Sequence, residues 1–479
     1  METAKGLAAL ERQIIRDLEF LSYPATDWVL PTCRPDGAHV YDVVVVGAGQ
    51  GGLGTAFALK RQHVRNVLVV DRRPVGREGP WLTYARMETL RTVKELTGPD
   101  GDLPNLTFRA WYEAQFGCDA WRNLVRIPRG MWMEYLNWFR RATDIAVQND
   151  TEIVDIGPDG GQIRLALRRN GRDETVLTRK VVLQTGLEGS GGPSLPKGLW
   201  EHLPRSLWAH SSDENIDWAR IKGGRVGVLG AGASAFDNAL AALDAGATEV
   251  HLFARRRELP RINFMRGIEY TGFFRYFGAL DDLRRWRFSR HIYSLQVPPP
   301  PDTFEKAITH PGFRLRLGQA WRSTRAIDDK VEIETDQGRF SFDLIIFGTG
   351  FDQNIGQRAE LRRVSEHVAL WRDRFTPPPG EDDTVLKRQP YLGSTFELME
   401  RNPGAAPWLR HIRLCGSGSW PSMGPVVAGV NGMKFGLGRI VDGVCRDLFL
   451  EDADQHYARY LEYSVPELTA AMPPNSPAE

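Results

Sequence analysis

Apolar positions along this chain fall into short unbroken runs that end abruptly in glycines. That is the pattern of strands buried on both faces and feeding tight turns. The first run, Tyr41–Val46, leads into Gly47-Ala-Gly49-Gln-Gly-Gly52. An Ala/Leu-rich stretch from Leu53 to Gln62 then predicts a helix, and Asn66–Val70 a second strand ending in Asp71. Strand, turn, helix and strand make a βαβ unit. The pattern returns at Arg225–Leu229, followed by Gly230-Ala-Gly232-Ala-Ser234-Ala235, a helix to Ala245 and a strand Glu249–Ala254. Further strands are expected at 181–186, 342–347 and 411–415, and a long helix at 432–448. Upstream, residues 4–21 carry helical spacing, with Leu7, Leu10, Ile14, Ile15 and Leu18 on one side. Pro24, Pro31 and Pro35 follow, and residues 468–479 read as a frayed end.

The glycine turns carry the first chemical information. In the turn Gly47-x-Gly49-x-x-Gly52, the first glycine permits a tight turn and the second lets backbone approach a pyrophosphate. The third lets helix and strand pack closely. A pyrophosphate then lies at the helix N-terminus, where free N–H groups favour negative charge. Asp71 stands 24 residues after Gly47, placed to accept hydrogen bonds from a ribose. The second turn, Gly230-x-Gly232-x-Ser234, leads to a strand that ends in Arg255-Arg-Arg257 instead of an acid. A guanidinium pairs with a 2′-phosphate that a carboxylate would repel, so this site is expected to prefer NADPH to NADH. An acid-terminated first site suits FAD, and two dinucleotide sites in one chain imply hydride transfer between two cofactors.

Composition narrows the partners. A net charge of +1 gives no global attraction to nucleic acid or an anionic membrane. No apolar run is long enough to span a bilayer, and the N-terminus is too charged for a signal peptide, so a cytoplasmic placement is expected. The four cysteines are far apart with no CxxC pair, which predicts buried inert thiols, no metal site and no dithiol chemistry. Oligomeric state stays open, a homo-oligomer included.

At this point the chain resembles the flavin-containing and Baeyer–Villiger monooxygenase superfamily, over roughly residues 40–450. The likeness rests on the FAD turn, on Gly79-Pro-Trp81, on Thr185-Gly186 and Thr349-Gly350, and most specifically on Gly230-x-Gly232-x-Ser234-Ala235. It implies an α/β fold of two Rossmann-like domains, the FAD domain interrupted by an inserted NADPH domain. The expected layout is an N-terminal helical extension (1–38), the FAD domain (39–196 and 336–460), the NADPH domain with an Arg- and aromatic-rich insertion (197–335), and a tail (461–479). The family's Phe-x-Gly-x-x-x-His stretch survives here only as Pro204-x-Ser206-x-x-x-His210, and Arg91 stands where a family Asn faces the flavin.

The resemblance further implies that NADPH reduces FAD, that O₂ forms a C4a-(hydro)peroxyflavin, and that one oxygen passes to a small N-, S- or carbonyl-bearing substrate. Thr185 and Gly350 belong to the turns that close the FAD domain, and Trp81 is expected beside the flavin. The Gly416–Val427 loop, with Gly424 in it, is expected to offer backbone N–H groups to the ring. Arg91 and His210 are the catalytic candidates. A cation at Arg91 would favour an ionised peroxide, with pairing to a phosphate or carboxylate as its alternative. His210 reads either as a base or as an interdomain hydrogen-bonding residue. Lys94 reads as a phosphate or substrate contact, or as a solvated lysine. The aromatics of 261–295 read as a channel lining or as a small core of their own. A flavin reductase or oxidase without oxygen transfer, and a non-catalytic nucleotide sensor, are the competing functions.

Overall fold

The computed structural model describes residues 6–470. The N-terminal helix α1 (Leu7–Phe20) buries Leu10 and Ile14 while Ile15 faces solvent. It is stapled to the first domain by Trp138 Nε1 donating to Glu11 (3.0 Å) and Asn105 Nδ2 donating to Asp17 (2.6 Å). The first βαβ unit is β1 (Val40–Val46), α2 (Gln50–Arg61) and β2 (Val67–Val70). Aromatic helices α3 (Phe108–Asn123) and α4 (Arg129–Ala142) follow, burying Phe108, Trp111, Trp132, Tyr135 and Trp138 in the main core. A meander β3 (Thr151–Asp159), β4 (Gln162–Arg169), β5 (Arg172–Leu183) completes this half.

β5 is long enough to serve two partners along one edge. Its first half pairs antiparallel with β4, and Val181–Leu183 pair parallel with a strand that returns much later, β16 (Ile412–Leu414). Its other edge pairs with β1, giving the order β2-β1-β5-β4-β3.

Between these passages lies a second sheet. After β6 (Gly192–Pro193), the chain runs through β7 (Trp208–His210), β8 (Arg225–Leu229), α5 (Ala233–Asp244) and β9 (Glu249–Ala254). Helices α6 (Thr271–Tyr276), α7 (Asp282–Ser294) and α8 (Pro301–Thr309) precede β10 (Phe313–Leu317). An antiparallel trio, β11 (Trp321–Ile327), β12 (Lys330–Thr335) and β13 (Gly338–Phe342), leads to β14 (Leu344–Phe347). The sheet is parallel throughout, in the order β10-β9-β8-β14-β7. The architecture is therefore two Rossmann-like α/β sheets, one inserted in the other.

β14 differs from expectation. The strand of 342–347 sits between β8 and β7 and so extends the inserted sheet past residue 335. The chain returns through β15 (Phe351–Asp352), which pairs antiparallel with β6. The two crossovers thus run side by side.

The 261–294 insertion packs on the returning segment. Trp286 and Trp371 share a buried cluster with Leu386, and Phe274 stacks on Phe435 (5.8 Å). Short helices α9 (Arg362–His367), α10 (Trp371–Arg374) and α11 (Trp420–Met423) lead to α12 (Met433–Glu451) and α13 (Ala453–Glu462). A buried charge network fastens the α12–α13 junction. Arg179 donates to both Asp452 oxygens (2.9 and 3.0 Å), Lys180 pairs with Glu451, and the fully buried Arg413 pairs with Asp447 (2.5 Å). Cys33 is exposed, against the expectation of burial, whereas Cys415 is buried and its thiol is pushed up by desolvation. The expected frayed end lies, from residue 471 on, outside the described residues. Among those described, no helix is long and apolar enough to cross a membrane and no side-chain cluster is fit to hold a metal.

Candidate functional site

One cavity is walled by strand ends of the first sheet, by the Ser211–Ser212 segment after β7 and by the first turns of α5, while Gly52, Gly230, Gly232 and Arg255 lie outside its wall. At the first turn Gly47 has φ 98°, and a Cβ there would stand 2.5 Å from the Gln184 carbonyl oxygen. At Gly52 a Cβ would stand 1.7 Å from the Gly47 carbonyl oxygen, which is backbone and cannot swing away. Gly49 precedes α2, so the helix N-terminus faces the cavity with its backbone bare. Asp71 lies at the end of β2 and lines the same space. Its two carboxylate oxygens accept from the N–H groups of Ala48 (2.7 Å) and Arg73 (2.8 Å), bracing the turn. Each oxygen keeps lone-pair capacity for a ribose hydroxyl. Desolvation raises the Asp71 carboxyl against these bonds.

Trp81 and Thr185 are also in the wall, and the Trp81 Nε1 and Thr185 Oγ1 atoms are buried without partners. Buried polar atoms are nearly always hydrogen-bonded, so unmet ones around a bare glycine turn fit an FAD that meets them. The wall also carries apolar side chains: Val427 and Val430, then Met433 and Leu437 of α12.

The inserted sheet contributes the first turns of α5. Gly230 has φ 131° with a would-be Cβ 2.3 Å from the Gly348 carbonyl oxygen, while nothing lies within 4 Å of a Cβ at Gly232. The turn is therefore closed behind and open in front, as a pyrophosphate requires. Ser234, Asp237 and Asn238 line the cavity from α5. Arg255, Arg256 and Arg257 are exposed just past β9, and none of them makes an ion pair among the described residues. They are free to meet a phosphate.

The remaining candidates divide between the cavity wall and its surroundings. Arg91 lines the cavity, but its guanidinium is ion-paired with Asp237 of α5. His210 is buried at the end of β7 and is not in the cavity wall; its neighbours Ser211 and Ser212 are. Its Nδ1 accepts from the Ser212 N–H (3.1 Å), so it braces the loop that follows β7, and burial lowers its pKa. Gly350 is likewise outside the wall. Its carbonyl accepts from Ser194 N–H (2.9 Å), tying one crossover to the other. Gly424 does not reach the cavity either. It packs on Phe277, 3.1 Å from its would-be Cβ, and Val427–Val430 take the place expected of it. Lys94 caps α3 by donating to the Trp121 carbonyl (2.7 Å).

Other wall residues went unread in the sequence. Arg72 pairs with Glu188 across the first sheet's mouth (2.5 Å). Arg86 donates to carbonyls of Tyr84 (2.5 Å) and Asp213 (2.6 Å), and burial lowers its pKa to about 10. Asp237 and Asn238 had a legible signal: they stand three and four positions after Ser234 and so share its helix face.

Comparison with known proteins agrees with this geometry. Residues 41–269 match the family model described as pyridine nucleotide-disulphide oxidoreductase. The ornithine N-hydroxylase of Kutzneria sp. 744 superposes with a TM-score of 0.66, covering 85% of this chain and 99% of its own, at 17% identity. L-lysine 6-monooxygenase from Pseudomonas syringae gives 0.63 over 85% of this chain and 99% of its own, at 18% identity. These two establish the shared fold. The FAD-dependent urate hydroxylase of Xanthomonas campestris pv. campestris is 42% identical over 470 residues, 98% of each chain. This chain therefore belongs to the flavin-dependent monooxygenase family that includes that urate hydroxylase.

Proposed function

We propose that this FAD- and NADPH-dependent monooxygenase hydroxylates a small planar heterocycle of the urate type, using O₂ as the oxygen source. The observation that carries the reading is the single cavity walled by both glycine-turn helices, where two dinucleotides can bring their reactive ends together. The relative's substrate, at 42% identity over the full length, supplies the substrate class.

In this reading Gly47, Gly49, Gly52, Asp71, Trp81 and Thr185 hold FAD. Gly230, Gly232, Ser234 and Arg255 hold NADPH. When bound, the flavin accepts a hydride and activates O₂. The protein's own part is positioning and exclusion of water. Val427, Val430, Met433 and Leu437 wall the site with apolar surface, which strengthens every charge interaction inside and suppresses loss of reducing equivalents to H₂O₂. Arg91, held by Asp237, offers a fixed positive charge to a developing anion. His210 acts at a distance by fixing the loop after β7 that carries Ser211 and Ser212 into the wall. We assign residues 197–348 to the NADPH domain and the flanking segments to the FAD domain.

The test is turnover of urate with NADPH under ¹⁸O₂. One labelled oxygen in the product, with NADPH and product in equal amounts, is expected. Unlabelled urate with all O₂ recovered as H₂O₂ would establish the oxidase reading instead.

A further inference from the structure

We propose that Asn238 and Arg91 together read an amide edge, one N–H beside one C=O, on the molecule that fills the cavity. Asn238 is 1% exposed and lines the cavity from α5. Its Nδ2 donates to the Ser234 carbonyl (2.8 Å), which sets the orientation of the amide. Its Oδ1 is left buried with no partner. Arg91 comes from the first domain. Its Nη2 is engaged by Asp237, whose side chain is 6% exposed, and its Nε–H is buried with no partner.

Arg91 and Asn238 both line the cavity, Asn238 is next in sequence to the Asp237 that holds Arg91, and each keeps one unmet polar atom. Buried polar atoms without partners are costly and are normally met. A ligand edge with one donor and one acceptor side by side meets both. Asp237 holds the guanidinium in place, so the pair is preorganised before the ligand arrives.

Two ligands of this enzyme carry such an edge. The coenzyme's nicotinamide carboxamide is one. The ureide edges of a urate-type substrate are the other, and this second source rests on the function proposed above. The two are separated by analogues in which an amide N–H is replaced by methyl while the carbonyl stays. These are the 3-acetylpyridine analogue of NADP⁺ and the series of N-methylurates.

Binding is read on the oxidised holoenzyme from the change in flavin absorbance, without turnover. Wild type is expected to bind one analogue type about tenfold more weakly than its parent, the size of one hydrogen bond of about 1.4 kcal/mol. Asn238→Leu, which keeps volume and loses the acceptor, is expected to bind parent and analogue alike. Arg91→Lys, which keeps a cation for Asp237 and loses Nε–H, is expected to bind the parent about tenfold more weakly. Discrimination confined to the nicotinamide pair or to the urate series identifies the source. Absence of discrimination against both analogue types in wild type overturns the inference without any variant. So does discrimination that persists in flavin-loaded Asn238→Leu. If urate does not bind wild type at all, the substrate reading falls, and the nicotinamide pair alone decides the inference.

Discussion

Arg255→Ala isolates the coenzyme preference. The Arg255 side chain is exposed immediately after β9 and makes no ion pair among the described residues. Its removal breaks no ion pair or side-chain hydrogen bond among the described residues, so folding stability should stay within about 0.5 kcal/mol of wild type. Any kinetic change then belongs to the ligand. A hydrogen bond to a charged group contributes about 1.5–3 kcal/mol, or about 10- to 150-fold in affinity. Solvent exposure and the neighbouring Arg256 and Arg257, also exposed and able to share a phosphate, place the single variant at the lower end. The expected result is an approximately tenfold loss in efficiency with NADPH and no change with NADH, which lacks the 2′-phosphate. The effect should shrink as salt is raised to about 0.15 M, where the screening length is about 8 Å. Anaerobic stopped-flow reduction of the flavin by each coenzyme measures it. An NADPH-to-NADH ratio unchanged in the triple Ala variant of Arg255, Arg256 and Arg257 would refute the assignment.

Gly52→Ala places a methyl 1.7 Å from backbone, so the protein should purify without flavin and refuse added FAD; a yellow variant with normal absorbance contradicts the turn's role. Asp447→Ala leaves the fully buried Arg413 without its ion-pair partner and should cost about 3–5 kcal/mol in guanidinium unfolding. A loss below about 1 kcal/mol would show the pair to be incidental. Burial pushes the Asp42 carboxyl up to about 6, outweighing the pull of Arg179. The folded protein therefore holds this proton more tightly than the unfolded chain. Its stability falls as pH rises from about 4 to 6 and stays lower above, by an amount on the order of 3 kcal/mol. Asp42→Asn removes that loss and should unfold at higher denaturant than wild type at pH 8 but not at pH 4; a variant less stable at pH 8 contradicts the sign.

Both nucleotide turns were legible because their chemistry is local. A strand buried on both faces must be a continuous apolar run, and a turn with positive φ or a close backbone approach must use glycine. The strand limits Arg225–Leu229 and Glu249–Ala254 accordingly coincide with the sequence reading. Pairing is not local, which is why β14 reads identically whether it joins one sheet or the other, and only the register with Val226–Leu229 places it. Arg91 shows the same limit. Its position near the cavity followed from motif spacing, but its partner is 146 residues away in the inserted domain. Gly424 was expected at the ring from the place of its loop after the last strand, yet Phe277, distant in sequence, packs on it, and Lys94 is held by the carbonyl end of α3.

The seating of α6 and α7 on the returning segment also bears on how this chain can be cut. A fragment spanning 197–348 includes every strand of the inserted sheet, yet it would expose Phe273, Phe274, Phe277 and Trp286, all buried in the intact protein. The remainder would lose the cover over Gly424 and Trp371. Neither piece is a self-sufficient module, so swapping coenzyme domains between relatives must carry the 261–294 strap together with the segment it grips.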